Sequence, residues 1–209
     1  MKPYSIAVGA CALAIAARPS IARAEGTEQA DQVMLPGDVT HGGYGGPVVK
    51  FTTMTSEAAV LVGGEGGWII NHSLIIGGAG YGLATVHGAP PELSPPLGRS
   101  TLQFGYGGAR LAYVIRPHDL VHVTLAALVG GGGYTILTHN DLRDDYQTHN
   151  SRAFFALEPE AQVEANVLKW LRVGLGVSYR YIGTEAVAGL SSSDLSGPAG
   201  MVVIKAGAF

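Results

Sequence analysis

The sequence predicts an all-β protein, an eight-stranded antiparallel up-and-down transmembrane β-barrel. Three observations support this prediction. Long segments alternate apolar and polar residues at a period of two, which is the pattern of a strand with two different faces. The chain begins with the features of an export signal. Charged residues make up only 14% of the chain, against about 25% in typical soluble domains.

The alternation is clearest in two adjacent segments, 155–167 and 171–181. In the first, the odd positions are apolar and the even positions are almost all polar. The pattern resumes after a tight connection at 168–170. Each run exceeds the usual strand length of about 5–6 residues and matches the roughly 9–11 residues that a tilted strand needs to cross a bilayer. We therefore interpret the two segments as a hairpin of membrane-crossing strands.

Residues 1–24 have the layout of a secretory signal peptide. Lys2 supplies the positive region, residues 6–17 form an apolar run too short to span a bilayer, and a small-x-small cleavage site ends at Ala24. An uncleaved anchor and a lipid-modified cysteine are less favoured alternatives. The only cysteine, Cys11, lies in this segment, so the mature chain is expected to have no thiol chemistry.

The remainder divides into residues 25–43, predicted to be a flexible N-terminal segment, and residues 44–209, predicted to form the barrel domain. The first part is polar and has no periodicity. Removal of the signal takes away three basic residues and no acidic ones, so the formal charge changes from −3 to −6. An acidic mature chain argues against nucleic acid as a partner.

Eight strands are predicted in the barrel domain, at about 45–53, 58–70, 73–86, 101–115, 120–136, 155–167, 171–181 and 200–209. Short turns are expected near residues 71, 117 and 169, and longer loops at 87–99, 137–151 and 183–198. Outer-membrane barrels have short periplasmic turns and longer external loops, and only the short connection near Thr55 breaks this alternation. No window after the signal contains 18 apolar residues, so no helical membrane span is predicted.

Two tryptophans, Trp68 and Trp170, lie beside predicted short turns, where a periplasmic aromatic girdle is expected. With the signal peptide, the WLRVGLGVSYRY strand that starts at Trp170 and the terminal Phe209, the chain resembles the small eight-stranded outer-membrane barrels of the OmpA and OmpX type. The resemblance implies residence in the outer membrane. Phe209 shares its parity with Gly207 and Lys205, which departs from the apolar terminal pattern of these proteins.

If the apolar faces contact lipid, the polar faces point into the lumen, where buried charges must be paired. The predicted luminal charge network consists of Lys50, Glu65, Arg110, Glu158, Glu160, Glu164, Arg172, Arg180 and Lys205. His122, Thr124, Gln162, Asn166 and Ser178 are expected on the same side. Folding the hairpin about Lys169 places Glu158 opposite Arg180 and Glu160 opposite Ser178, which predicts a Glu158–Arg180 pair. A filled lumen is the favoured interpretation, and a gated ion path or a buried acid–base site is the alternative.

The glycine clusters at 63–68, 77–82, 105–108 and 130–133 do not predict a phosphate-binding loop, because neither a following helix nor a Lys-Ser/Thr pair is present. Glycine within strands marks curvature or close approach of large side chains. We expect Tyr81, Tyr106 and Tyr134 to lie over these glycines.

Candidate catalytic clusters are short and polar. They are Asn71-His72-Ser73 in a predicted turn, and His139-Asn140, His149-Asn150-Ser151, Asp141, Asp144 and Asp145 in the predicted loop at 137–151. None has a spacing that is diagnostic of a triad or of a zinc or calcium site. We therefore predict no enzyme activity, no cofactor and no metal.

The function predicted from sequence is that of an integral outer-membrane barrel with a filled lumen, acting as a structural or interaction protein. Its expected partners are membrane lipid and a protein that contacts the loops or the barrel wall. A narrow pore, a lipid-modifying outer-membrane enzyme and a soluble exported β-barrel or lipocalin-like binder are the alternatives, since alternation alone does not tell which face is buried.

Overall fold

The computed structural model describes residues 39–55, 57–85, 87–88, 99–140, 145–183 and 191–209. The predicted signal peptide and most of the N-terminal segment lie outside these residues. The described elements are the strands β1 (His41–Met54), β2 (Glu57–Ile70), β3 (Leu74–Leu83), β4 (His87–Gly88), β5 (Arg99–Ile115), β6 (Val121–Asn140), β7 (Asp145–Leu168), β8 (Leu171–Gly183) and β9 (Gly197–Ala208), with the short helix α1 (Ser192–Leu195) before β9.

The strands form one closed antiparallel sheet. Its order is β3-β2-β1-β9-β8-β7-β6-β5-β4, and an additional pairing between β3 and β5 closes the ring. β4 contributes only two residues, which pair with β5, so eight strands make the wall. Each wall strand pairs with its neighbours along the chain, and β1 pairs with β9. The predicted fold class, an eight-stranded up-and-down antiparallel barrel, is confirmed.

The faces of the wall are inverted relative to a soluble barrel. Along β1, Lys50 is completely buried, whereas the side chain of the next residue, Phe51, is 54% exposed. Along β8, Arg180 is completely buried and Val177 is 64% exposed. Because successive residues of a strand point to opposite faces, polar side chains fill the interior and apolar side chains cover the outside. This is the arrangement of a barrel surrounded by lipid.

Two apolar clusters lie inside the barrel, one toward each end. The larger one is near the end that carries α1, and it includes Leu61, Phe104 and Leu195. The smaller one includes Ile69 and Ile75, which flank the β2–β3 turn, and Phe209 packs against it. The buried ion-paired residues, which include Lys50, Glu160 and Arg110, lie between these clusters.

Glycine residues make room for large interior side chains at two positions. A Cβ atom added to Gly63 would lie 2.8 Å from Cδ1 of Tyr81, and one added to Gly132 would lie 2.6 Å from Cβ of Tyr106. Two of the three tyrosines therefore lie against glycines, as predicted. The glycine clusters are all within strands and their connections, without the helix that a phosphate-binding loop requires.

Several predicted boundaries were wrong. β1 begins at His41, so residues 41–43 belong to the barrel and not to the flexible N-terminal segment. The predicted loop at 137–151 is largely strand, because β6 and β7 continue pairing as far as Asn140 and Asp145. The predicted loop at 183–198 contains α1 and the start of β9. Polar residues that pair only with each other carry no apolar face, so alternation did not reveal these extensions.

The connections at one end are short, as predicted. Asn71 and His72 both have positive φ angles, of 49° and 58°, as in the tight turns that join antiparallel strands. Arg116 has a φ of 57° in the β5–β6 turn. β7 and β8 are separated by two residues only. Within the described residues, no helix is long and apolar enough to cross a membrane.

Candidate functional site in the barrel interior

The ion-paired Glu, Lys and Arg side chains of the interior come from five strands that surround the lumen. β7 contributes Glu158, Glu160 and Glu164, which share one face because they are spaced by two or four residues. β2 contributes the remaining interior glutamate, Glu65. The paired cations come from three other strands: Lys50 from β1, Arg110 from β5 and Lys205 from β9. All of these side chains are buried.

Lys50 lies at the α1 side of the network. Its Nζ is 2.9 Å from Oε2 of Glu158 and donates to Oε1 of Glu160 at 3.1 Å. The same Nζ lies 3.6 Å from the ring centroid of Tyr81, a cation–π contact. The Tyr106 hydroxyl donates to Glu158 at 2.7 Å and the Ser178 hydroxyl donates to it at 2.6 Å. Glu158 is therefore held by one cation and two neutral donors.

Arg110 connects the middle of the network. Its Nε donates to Oε2 of Glu160 at 2.9 Å and lies 3.5 Å from Oε2 of Glu65. Its Nη1 donates to the Tyr44 hydroxyl at 3.0 Å, and that hydroxyl donates to Oε1 of Glu65 at 3.0 Å. One guanidinium group thus joins the carboxylates of β2 and β7 across the lumen.

Lys205 lies at the short-turn side. Its Nζ is 2.7 Å from Oε1 of Glu164 and 3.0 Å from Oε1 of Glu65, and it donates to Oε1 of Gln162 at 3.1 Å. His122 is buried with its Nε2 3.6 Å from Oε2 of Glu164. The chain of contacts therefore runs without interruption from Glu158 to Glu164.

The ion pairs connect β7 and β2 with β1, β5 and β9 across the barrel interior. An eight-stranded barrel has an interior just wide enough for its side chains to fill, and the paired charges here extend from wall to wall. Burying these charges is costly unless each has a partner. A buried network of this kind adds little net stability over a packed apolar core, but breaking one member of it is expensive.

The predicted Glu158–Arg180 ion pair was wrong. The strand register that suggested it is correct, because Glu160 pairs with Ser178. Nevertheless, Glu158 binds Lys50 from β1, and Nε of Arg180 donates to the Leu195 carbonyl of α1 at 2.8 Å. Both terminal nitrogens of Arg180 are buried without a hydrogen-bond partner among the described residues. The long side chain of Arg180 extends toward the α1 end of the lumen instead of toward the residue opposite it on β7. The strand register alone does not predict this direction.

Arg172 also lies outside the paired chain. It is 6% exposed, and its Cζ lies 3.9 Å from the ring centroid of Phe209. The terminal ring faces inward, which accounts for its parity with Lys205. The two tryptophans are on the outer wall at the short-turn end, with Trp68 and Trp170 being 51% and 56% exposed.

Two functional side chains were missed by the sequence analysis, Tyr44 and Tyr106. Each hydroxyl donates to a buried glutamate. Parity could have found them, because Tyr44 has the same parity as Lys50 on β1 and Tyr106 has the same parity as Arg110 on β5. Tyrosine was assigned to lipid or glycine contacts instead, because its ring is apolar and its hydroxyl is not.

The candidate catalytic clusters show no triad geometry in the described residues. The His72 ring lies 5.2 Å from the His118 ring, and its Nδ1 is 3.1 Å from the Thr40 hydroxyl. Among the residues that the structure describes, no group of three potential ligands is arranged to hold a metal ion. The side chains of the candidates between His139 and Asn150 lie outside the described set.

Comparison with known proteins gives a fold match. No protein-family model and no curated protein matches the sequence. Neisserial surface protein A (NspA) superposes with a TM-score of 0.53 at 13% identity, covering 81% of this chain and 99% of that one. The N-terminal β-barrel domain of Pseudomonas aeruginosa OprF gives 0.47 at 10% identity, with coverages of 80% and 96%. Ail of Yersinia pestis gives 0.44 at 13% identity, with coverages of 80% and 95%. At such low identity the NspA match concerns the fold alone, and the chain has the fold of a small eight-stranded outer-membrane β-barrel.

Proposed function

We propose that this protein is an integral barrel of a bacterial outer membrane, with a lumen sealed by its own side chains, that acts as a structural or interaction protein. The observation that carries the proposal is the inverted wall. Large apolar side chains such as Phe51 and Val177 face outward, and a paired ionic chain lies inside. Water around such a wall would be strongly unfavourable, whereas lipid is a suitable solvent for it.

The exposed tryptophans support a definite orientation. Trp68 and Trp170 lie at the end with the short turns, where tryptophan rings anchor a barrel at the membrane interface. Short turns are periplasmic in outer-membrane barrels, so the α1 end faces outward. The expected partners are lipid along the wall and a protein that contacts the outer end or the wall. Nucleic acid is not an expected partner, since the mature chain is acidic.

The alternatives fit less well. A narrow pore needs a continuous water path, but the lumen contains ion pairs across its width and apolar clusters toward both ends. A soluble lipocalin-like binder needs an apolar cavity inside and a polar wall outside, the reverse of the arrangement in β1 and β8. We therefore also propose that the protein is not an enzyme and requires no cofactor.

The first test is migration on a gel, comparing boiled and unboiled protein extracted with detergent from the outer-membrane fraction. Faster migration of the unboiled form is expected from a closed barrel. Recovery as a soluble periplasmic protein that needs no detergent would refute the proposal and favour the soluble binder.

The second test is conductance across a planar bilayer. The sealed lumen predicts no stable open channel for the parent protein and none for Glu158→Gln or Arg180→Met. A parent conductance that either substitution changes would establish the pore instead. Lipid modification that His72→Ala abolishes would likewise establish the enzyme.

A further inference from the structure

An open pocket of about 660 Å³ lies at the short-turn end of the barrel, between the β5–β6 turn and the β7–β8 hairpin. It is lined by Lys169, Arg172, His118 and Asn166, with Leu168 and Phe209 among its apolar walls. No acidic side chain is among the described lining residues. The pocket is outside the paired network of the lumen, so its charge has no role in sealing the barrel.

Arg172 is the unusual member of the pocket. It is 94% buried, yet its Nε has no hydrogen-bond partner in the described part of the chain. Its neighbour across the sheet is another cation, Lys205. Lys205 forms an ion pair with Glu164 at 2.7 Å, whereas Glu164 acts on Arg172 only electrostatically, without a direct ion pair. Arg172 instead stacks on the Phe209 ring at 3.9 Å, and this contact fixes its guanidinium group at the pocket.

Lys169 adds a second cation from the turn itself, where it is exposed. Neither Lys169 nor Arg172 takes part in an ion pair with a described acidic side chain. The amide of Asn166 already donates to the Asp119 carbonyl at 2.9 Å, which fixes the pocket edge. Two cations that make no direct ion pair with the described acidic side chains, one of the two being buried, are complementary to an anion.

The surroundings indicate the source of this anion. Val167, Leu168 and Trp170 are about half exposed on the outer wall next to the pocket, so a group bound there would be continuous with the lipid that covers the wall. Arginine binds phosphate oxygens in a bidentate manner and lysine binds them as a point charge. We propose that the pocket binds the phosphate of an anionic phospholipid headgroup in the leaflet on the short-turn side. This inference rests on the proposed membrane location.

The test uses Trp170 as a reporter beside the pocket. Trp68→Phe leaves it as the only tryptophan, since the chain has two. The protein is reconstituted in phosphatidylcholine vesicles that contain either dibrominated phosphatidylglycerol or dibrominated diacylglycerol, which lacks the phosphate. Bromine quenches the indole on contact. We expect phosphatidylglycerol to quench more strongly at equal mole fraction, and its relative affinity to fall about fivefold for each cation removed by Lys169→Met or Arg172→Met.

Two control variants keep the test interpretable. Arg152→Met removes an exposed cation from β7, far from the pocket toward the other end of that strand, and should leave the preference unchanged. Arg172→Lys keeps the charge and loses the bidentate geometry, so it should retain part of the preference for phosphatidylglycerol. This variant keeps the test informative if Arg172→Met folds poorly. Heat-modifiable migration and vesicle incorporation of the parent protein and of each variant are measured first. Failure of the parent protein would count against the membrane barrel itself, whereas a variant that fails is left out of the comparison of lipid preference.

Equal quenching by the two brominated lipids in the parent protein, once incorporated, would overturn the inference while leaving the proposed function intact. Inorganic phosphate added at matched ionic strength separates the two possible sources. A preference that persists in its presence supports a lipid headgroup. Binding of inorganic phosphate by the detergent-solubilised protein, without selectivity among the lipids, would overturn the lipid assignment in favour of a soluble anion.

Discussion

Lys50→Met is the most direct test of the interior network. Lys50 is completely buried and contacts Glu158 at 2.9 Å and Glu160 at 3.1 Å. Methionine has a similar volume and keeps the contact with the Tyr81 ring, but it removes the charge. Glu160 retains Arg110, whereas Glu158 retains only the hydroxyl donors of Tyr106 and Ser178.

The carboxylate of Glu158, left without a cation, determines the expected loss in the free energy of unfolding. Removal of one member of a buried pair costs about 3–5 kcal/mol, because the other charge stays buried without compensation. The folding equilibrium constant should fall by a factor of about one hundred or more. Adding Glu158→Gln removes the unpaired charge. The amide oxygen can still accept from one of the two hydroxyls, and the amide nitrogen can donate to the other. We therefore expect the double variant Lys50→Met/Glu158→Gln to be more stable than Lys50→Met alone, a non-additivity typical of contacting residues.

The assay is urea unfolding in lipid vesicles, followed by the fluorescence of Trp68 and Trp170. Arg152→Met is the matched control, since this arginine is exposed on β7 and such substitutions usually change stability by no more than about 0.5 kcal/mol. Equal unfolding midpoints for Lys50→Met and Arg152→Met, at equal denaturant dependence, would refute the argument that the network holds the barrel interior.

Three further predictions follow from other parts of the barrel. Arg180→Met should lower the free energy of unfolding by less than Lys50→Met in the same assay, by no more than about 2 kcal/mol. It loses the hydrogen bond to the Leu195 carbonyl, but it also removes a buried guanidinium group whose two terminal nitrogens have no described hydrogen-bond partner. Gly130→Ala should cost about 1–3 kcal/mol, since its Cβ would lie 2.5 Å from the backbone of Gly108. Gly200→Ala, with nothing within 4 Å, is its control, and equal stabilities would contradict the packing argument. Hydrogen bonds from the side chain and backbone of Ser191 hold the pKa of Asp194 below its ordinary value. The ionised Asp194 therefore stabilises the cap of α1 above about pH 4. This stabilisation is lost as the pH falls through the lowered pKa of the folded state. Amide exchange at Ser191 should therefore lose protection in acid, after correction for intrinsic rates, and an Asp194→Ala variant should show no such step.

The wall could be predicted from sequence because it depends on a local rule. Alternation within 155–167 and 171–181 assigns each side chain to one of two faces, and the closed sheet has these strands as β7 and β8. The charge-poor composition and the even number of strands then favoured a barrel with its apolar face outward. The first step uses residues that are close in sequence and the second uses totals over the whole chain, so neither requires knowledge of which distant residues are in contact.

The strand ends were less predictable, for a physical reason. β6 and β7 continue beyond the apolar wall, and their pairing shifts register between Thr135 and Ile136. Past this shift both strands are mainly polar, and Thr135 bonds to Ser151 through their hydroxyls at 3.1 Å. Hydrogen-bonded backbone sustains such a ribbon without burial of an apolar face. A pattern of apolar residues therefore marks the wall and not the whole strand.

The choice of partners inside the lumen depends on geometry that no local pattern contains. Glu158 and Arg180 are opposite in register, as predicted, and yet Glu158 binds a lysine from β1 and Arg180 turns to α1. In a closed barrel of eight strands, every interior side chain can reach several strands across the lumen. The four interior glutamates of the described strands are paired with Lys50, Arg110 and Lys205 and with neutral donors. Arg172 and Arg180 are the cations left over from this pairing, one at each end of the interior. A site for an anion is therefore expected where the surplus cation faces an open pocket, which is the case for Arg172 and accords with the phosphate-binding role proposed for it.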